Sequence, residues 1–213
     1  MSGTITALKA QTKSKGRVNV YLDGAFAFGL ADILAASLRV GQRLSDEQIA
    51  ALRQRDAQER AYERALRFLS YRPRSTDETR RYLAGKDLPP EVIDATLARL
   101  ASAGLLDDEA FARFWVEDRE SFRPRSAMAL RVELRRKGVG DEAIAAALNA
   151  VDEEEAAYQA AQPRAARLQG CDRATFYRRL GDFLQRRGFS YQTSRATVDR
   201  LWRESTGAEP ARG

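Results

Sequence analysis

Arg72-Pro73-Arg74-Ser75 returns 51 residues later as Arg123-Pro124-Arg125-Ser126, and the same helical pattern follows each copy without a gap. Leu83 aligns with Leu134, Lys86 with Lys137, Glu91 with Glu142, Ile93 with Ile144 and Leu97 with Leu148. Self-similarity at fixed spacing predicts an array of small helical units, each covering an apolar face that its neighbour cannot bury alone. Such arrays present a long face to a large partner rather than a pocket to a small substrate. A weaker third copy follows. Gln185-Arg186-Arg187-Gly188-Phe189 lies 50 residues beyond Arg135-Arg136-Lys137-Gly138-Val139, and Val198 and Leu201 take the places of Leu148 and Val151. Ser194 stands where the earlier units have Ile93 and Ile144, so the packing there is expected to differ, as it often does in a terminal repeat.

Capping residues set the helix boundaries. Ser45 with Gln48 forms a capping box, and nothing breaks the helix from there to about Ser70. Its middle, Arg53–Arg60, is almost wholly polar and reads as a connecting rod, or as two helices meeting. Ser75 with Glu78 caps a helix to about Lys86; Pro89-Pro90 starts one that Gly104 closes. Asp107 or Asp108 opens a helix carrying Phe111, Phe114 and Trp115. Ser126 opens one ending at Gly138, and Asp141 one ending near Val151. Asp152 with Glu155 caps a seventh, which Pro163 should kink or end a turn early. Two more cover about Arg173–Arg187 and Tyr191–Glu204, giving nine helices in three sets of three.

The first thirty residues differ in period. Val18, Val20 and Leu22 alternate with polar residues, Asp23-Gly24 supplies the positive φ of a tight turn, and Phe26, Phe28 and Leu30 alternate after it. With the apolar stretch around Ile5 and Ala7 this predicts a three-stranded antiparallel meander, too small to be stable unless helices pack on it. The expected fold is mainly α, an elongated or curved set of three tandem three-helix-bundle repeats behind a small N-terminal antiparallel β-meander. The expected limits are 1–44 for the meander and a short helix, 45–105, 106–151 and 152–205 for the three units, and 206–213 for a disordered tail.

Hydrophobic residues make up 44% of the chain, enough for a core, while the formal charge is +6 and the pI about 9.7. That balance favours nucleic acid or a nucleoprotein complex as partner; the alternative is solvated arginines paired with the many acids. Cys171 stands alone, so no intrachain disulfide can form and a reducing compartment fits. Histidine is absent, which removes the commonest general base and zinc ligand. No Gly-rich phosphate loop, nucleophilic triad or metal-ligand spacing appears, so neither an enzyme nor a cofactor is expected. No run approaches the roughly 18 apolar residues of a membrane span, and Met1-Ser2-Gly3-Thr4 does not open a signal peptide; a cytoplasmic location is expected.

Five stretches resemble one family in the correct order. Leu69-Ser70-Tyr71-Arg72-Pro73-Arg74-Ser75, Gly104-Leu105-Leu106-Asp107-Asp108-Glu109-Ala110-Phe111-Ala112 and Glu133-Leu134-Arg135-Arg136-Lys137-Gly138-Val139 look like signatures of the RecX regulators of bacterial recombination. Leu184-Gln185-Arg186-Arg187-Gly188-Phe189 is similar to the last signature, and Arg17-Val18-Asn19-Val20-Tyr21-Leu22-Asp23-Gly24 resembles the N-terminal extension of some members. The resemblance implies a non-enzymatic modulator that binds in the groove of the RecA–single-stranded DNA filament. It implies suppressed ATP hydrolysis and strand exchange, and limited filament growth or favoured disassembly, with bare DNA a further partner of some members; separately from the resemblance, a monomer is expected.

The residues that would do this work are basic and recur from unit to unit: Arg72, Arg74, Arg80 and Arg81, then Arg123, Arg125, Arg131, Arg135, Arg136 and Lys137, then Arg173, Arg178, Arg179, Arg186 and Arg187. Stacked units would align them into one ribbon facing acidic protein loops or phosphates. Against this, Arg136 and Lys137 complement a helix macrodipole wherever they lie. Ser75 and Ser126 are expected to be caps, and Phe111, Phe114, Trp115 and Phe122, spaced on one helix face, to be core. Tyr62 and Tyr71 are the better stacking candidates. The competing readings are a helix-turn-helix-like regulator acting directly on duplex or single-stranded DNA, and a protein scaffold without nucleic acid.

Overall fold

The computed structural model of the chain describes residues 2–12, 14 and 16–206, which divide into two compact units. One comprises Met1–Arg72 with Thr79–Leu106, the other Pro73–Glu78 with Asp107–Gly213. The tail expected from residue 206 lies outside the described residues, except that Thr206 closes the last helix.

In the first unit β1 (Gly3–Ala10), β2 (Arg17–Leu22) and β3 (Ala25–Ala31) form the antiparallel meander, with Val18 opposite Leu30 and Val20 opposite Phe28. Asp23 and Gly24 both have positive φ, 47° and 87°, as a two-residue hairpin turn requires. After the short α1 (Asp32–Ala35), a fourth strand, β4 (Arg43–Leu44), pairs with the outer edge of β1. Two residues are too few for alternation to reveal a strand, which is why only three were expected. Ile5, Val20, Leu30 and Leu44 are almost fully buried on the inner face.

α2 (Asp46–Leu69) carries the Ser45–Gln48 capping box and is one continuous helix. Its polar middle is not a rod between bodies. Asp56 is only 6% exposed and accepts from both terminal nitrogens of Arg17 at 3.1 and 2.9 Å and from the Ala31 N–H at 2.8 Å. Arg53 lies over the Phe28 ring at 5.3 Å. The polar residues of α2 therefore clamp the sheet, and Asp56 satisfies a backbone donor at the end of β3 that would otherwise be buried unpaired. Farther along, α2 packs with α4 (Pro90–Ser102) around Ala65, Leu83, Ile93, Leu97 and Leu100. Leu83 comes from α3 (Thr76–Ala84).

The second unit holds α5 (Asp108–Phe122), α6 (Ala127–Arg136) and α7 (Asp141–Leu148) around Phe111, Val116, Leu130, Leu134 and Ile144. It also holds α8 (Glu153–Ala166), α9 (Arg173–Arg186) and α10 (Tyr191–Thr206) around Phe176, Leu180, Leu184, Phe189 and Leu201. From Ser45 onward the described residues form nine helices in three sets of three. Pro163 does not end α8 a turn early; the helix runs three residues past it. Ala156, Ala157, Ala160, Ala161 and Ala165 are all buried in the core, and that packing outweighs the one backbone hydrogen bond an exposed proline forfeits. Ser194 occupies a core position of the third set, 2% exposed, with its Oγ unpaired. The aromatic run of α5 splits: Phe111 is buried and Trp115 packs on the core, but Phe114 is 40% and Phe122 79% exposed. Phe122, the last residue of its helix, is not core.

Candidate interaction surface at the repeat junctions

Ser75 and Ser126 are both caps, as expected, and both are also completely buried. Ser75 Oγ accepts from the Glu78 N–H at 3.1 Å, and the Ser75 N–H donates to Glu78 Oε2 at 3.4 Å, completing a capping box. The same hydroxyl donates to the carbonyl of Lys137 at 2.5 Å, at the C-terminus of α6. Ser126 Oγ accepts from the Ala129 N–H at 3.1 Å, and its own N–H donates to the carbonyl of Arg187 at 3.3 Å, at the C-terminus of α9. Each serine thus seats the start of one helix on the end of another roughly sixty residues later.

The seat is shaped by glycine. Gly138 and Gly188 have φ of +77° and +91°, and a Cβ at Gly188 would stand 2.6 Å from Ser126 Oγ and 2.8 Å from the Ala129 Cβ. A Cβ at Gly138 would collide with the Asp77 side chain. Both glycines end their helices in the left-handed turn, and Val139 and Phe189 then donate back to Leu134 and Leu184.

The two seats carry different chemistry. At the first, Lys137 Nζ pairs with Glu78 Oε1 at 2.8 Å and lies 4.2 Å over the Trp115 ring, which the Arg119 guanidinium also covers at 4.1 Å. Glu133 accepts from Trp115 Nε1 at 2.9 Å and Arg119 Nε at 3.0 Å, and pairs with Arg125 Nε at 3.1 Å. Every cation there has an acid. At the second, the Arg187 guanidinium donates to the Pro124 carbonyl at 2.8 Å and sits 4.7 Å from the Phe183 ring, with Arg164 at 4.9 Å from that ring. Burial holds the Arg187 guanidinium below its usual value, and the charges of Arg125, Arg123 and Arg164 push it the same way.

The structure distributes the predicted basic residues unevenly. Arg80 pairs with Asp94, Arg125 with Glu133, Arg135 with Asp141 and Lys137 with Glu78. The Arg135 hydrogen bond and charge hold the Asp141 carboxyl below the usual carboxylate range. Arg72, Arg74, Arg81 and Arg136 also have partners within the chain. Arg131 is half-buried near Asp141, and Arg173 lies over the Tyr177 ring. Arg123, Arg178, Arg179 and Arg186 are exposed and, among the described residues, outside any ion pair. Arg123, Arg125 and Arg187 converge with Arg164, a residue the sequence reading passed over. Its signal was present: Asp152 begins α8 as Asp107 begins α5, and that shift of 45 puts Arg164 in the place of Arg119. Tyr71, a stacking candidate, is 78% exposed, whereas Tyr62 packs against the core beneath Arg99. Among the described residues no cluster of acids, cysteines or histidines could hold a metal ion, and no helix is long and apolar enough to cross a membrane.

Four family models match in succession: the regulatory protein RecX N-terminal domain over residues 3–45, then the first, second and third RecX three-helix domains over 61–100, 107–148 and 152–198. Regulatory protein RecX of Bacillus subtilis is 32% identical over 203 residues, covering 92% of this chain and 76% of its own. The chain belongs to the RecX family. A crystal structure of regulatory protein RecX superposes with a TM-score of 0.73 at 30% identity over 92% of this chain and 99% of that one. RecX of Limosilactobacillus reuteri is 36% identical, but there the match covers 68% of this chain and only 55% of the relative. RecX from Lactobacillus salivarius, at 22% identity and a TM-score of 0.60, shares the fold. Both seats lie within the RecX three-helix domains, at the starts of α3 and α6 and the ends of α6 and α9.

Proposed function

We propose that the chain is a stoichiometric, non-enzymatic modulator of the RecA recombinase, acting in the cytoplasm. It binds in the groove of the RecA–single-stranded DNA filament, slows ATP hydrolysis and strand exchange, and limits filament growth. The observation that carries this reading is the ordered succession of four RecX domains between residues 3 and 198. The Ser126 seat supports it, since it locks two successive three-helix bundles of the second unit together through a backbone hydrogen bond to Arg187. Linked modules each adding modest contacts gain in avidity.

Within this reading the exposed arginines Arg123, Arg178, Arg179 and Arg186, with the other members of the predicted set, supply the basic face. Arginines already paired to acids contribute less, because a partner must first displace the internal carboxylate. The test is ATP turnover by RecA on single-stranded DNA. Added protein should slow a pre-formed filament at concentrations that barely retard bare duplex, and Arg123→Glu with Arg186→Glu should relieve the inhibition. Unaltered turnover in the presence of the protein would overturn the reading. Retardation of duplex at those same concentrations would favour a direct DNA reader instead.

A further inference from the structure

The second seat is the first seat with its acids removed. The 45-residue shift of α8 on α5, the 50-residue shift of α9 on α6 and the 51-residue shift of α6 on α3 align the two position by position. Arg119 and Lys137 become Arg164 and Arg187, so both cations persist. Glu133 becomes Phe183, and Glu78, three residues after the capping serine, becomes Ala129. Trp115, whose ring fills the first seat, becomes Ala160. The outcome is a cavity of about 230 Å3 lined by Phe122, Ala160, Arg164, Arg167, Phe183 and Arg187 among others, with no carboxylate in its lining. Among the described residues Arg164, Arg167 and Arg187 form no ion pair, and Arg123 and Arg125 stand close enough to oppose the charge on Arg187.

We propose that this cavity is a phosphate-binding subsite that takes a backbone phosphate of single-stranded nucleic acid, with the neighbouring base stacked on Phe122. Three guanidiniums around one void exceed what a single carboxylate can neutralise, whereas a phosphate offers several acceptor oxygens to planar donor forks. Phe183 holds Arg164 and Arg187 against its ring, which orients their donors before a ligand arrives. Phe122 is 79% exposed at the rim, and a bare ring beside a phosphate site suits an unpaired base rather than a duplex. Nucleic acid as the source of the anion rests on the filament reading above; the affinity of the cavity for an anion does not.

The experiment measures fluorescence anisotropy of a labelled twelve-nucleotide oligothymidylate with the full chain, without RecA, across a salt series. Ala129→Glu restores the missing acid and should weaken binding about tenfold, with a salt slope shallower by about one. Arg164→Gln with Arg167→Gln removes two exposed guanidiniums and should do the same. Phe122→Ser should weaken binding several-fold and leave the slope unchanged. Arg39→Gln, an exposed charge in the first unit, should bind as the original does. Original binding by both cavity variants, an equal loss in Arg39→Gln, or no binding by the original protein would each overturn the proposal. So would cavity variants that keep oligonucleotide affinity yet lose the RecA filament, since the cavity would then take an acidic side chain of a protein. RecA turnover measured in parallel separates failure of the filament reading from failure of the subsite.

Discussion

The seats of Ser75 and Ser126 share a backbone and part company in charge. Both place a buried capping serine on a left-handed glycine, and both bring a cation to the rim. In the first, Glu78 and Glu133 neutralise Lys137 and Arg119 beneath a tryptophan. In the second, the corresponding residues are alanine and phenylalanine, and Arg164, Arg167 and Arg187 line a cavity that no carboxylate lines. Repetition of a fold therefore does not entail repetition of its chemistry. The shared part is what the attachment needs, and the divergent part is available for a partner.

The shared backbone is the most sensitive point. Gly138→Ala and Gly188→Ala should each destabilise the second unit by about 3 kcal/mol, since a left-handed residue with a Cβ is strained and that Cβ overlaps the seated segment. Urea unfolding checks this; a shift at one glycine only would mean that the seats are not equivalent. Next, Glu133→Ala should cost about 2 kcal/mol, because it strands Arg125 and the Trp115 N–H and leaves Arg119 with Asp118 as its one acid among the described residues. The matching position of the second seat holds no acid, so Phe183 variants should lose packing without that electrostatic loss, visible as a salt-independent midpoint. The smallest effect has the opposite sign. Ala129→Glu should stabilise by about 1 kcal/mol through a capping box and a partner for Arg187, raising the urea midpoint at unchanged slope. A lowered midpoint would show that the missing acid is not the difference between the seats.

Much of the fold was legible because its signals are local. The caps at Ser45, Ser75, Asp107 and Ser126, the glycines closing α4, α6 and α9, and the Asp23-Gly24 turn each act within a few residues. Where the reading failed, a distant partner had outweighed a local preference. Pro163 sits in a helix whose opposite face is buried alanine, and polar α2 serves a sheet 25 to 39 residues upstream. Phe122 kept helical spacing but lies at the last position of α5, where a side chain can leave the core.

From the amino-acid order alone came the repeat, the helical class, the meander and the family, all of which rest on period and short spacings that survive without knowing what touches what. Only the tertiary structure decided which arginines are spoken for. Ion pairs such as Lys137 with Glu78 join residues 59 apart, and nothing in a linear pattern distinguishes a cation that has met its acid from one that has not. Charge composition counts both alike; burial and distance separate them.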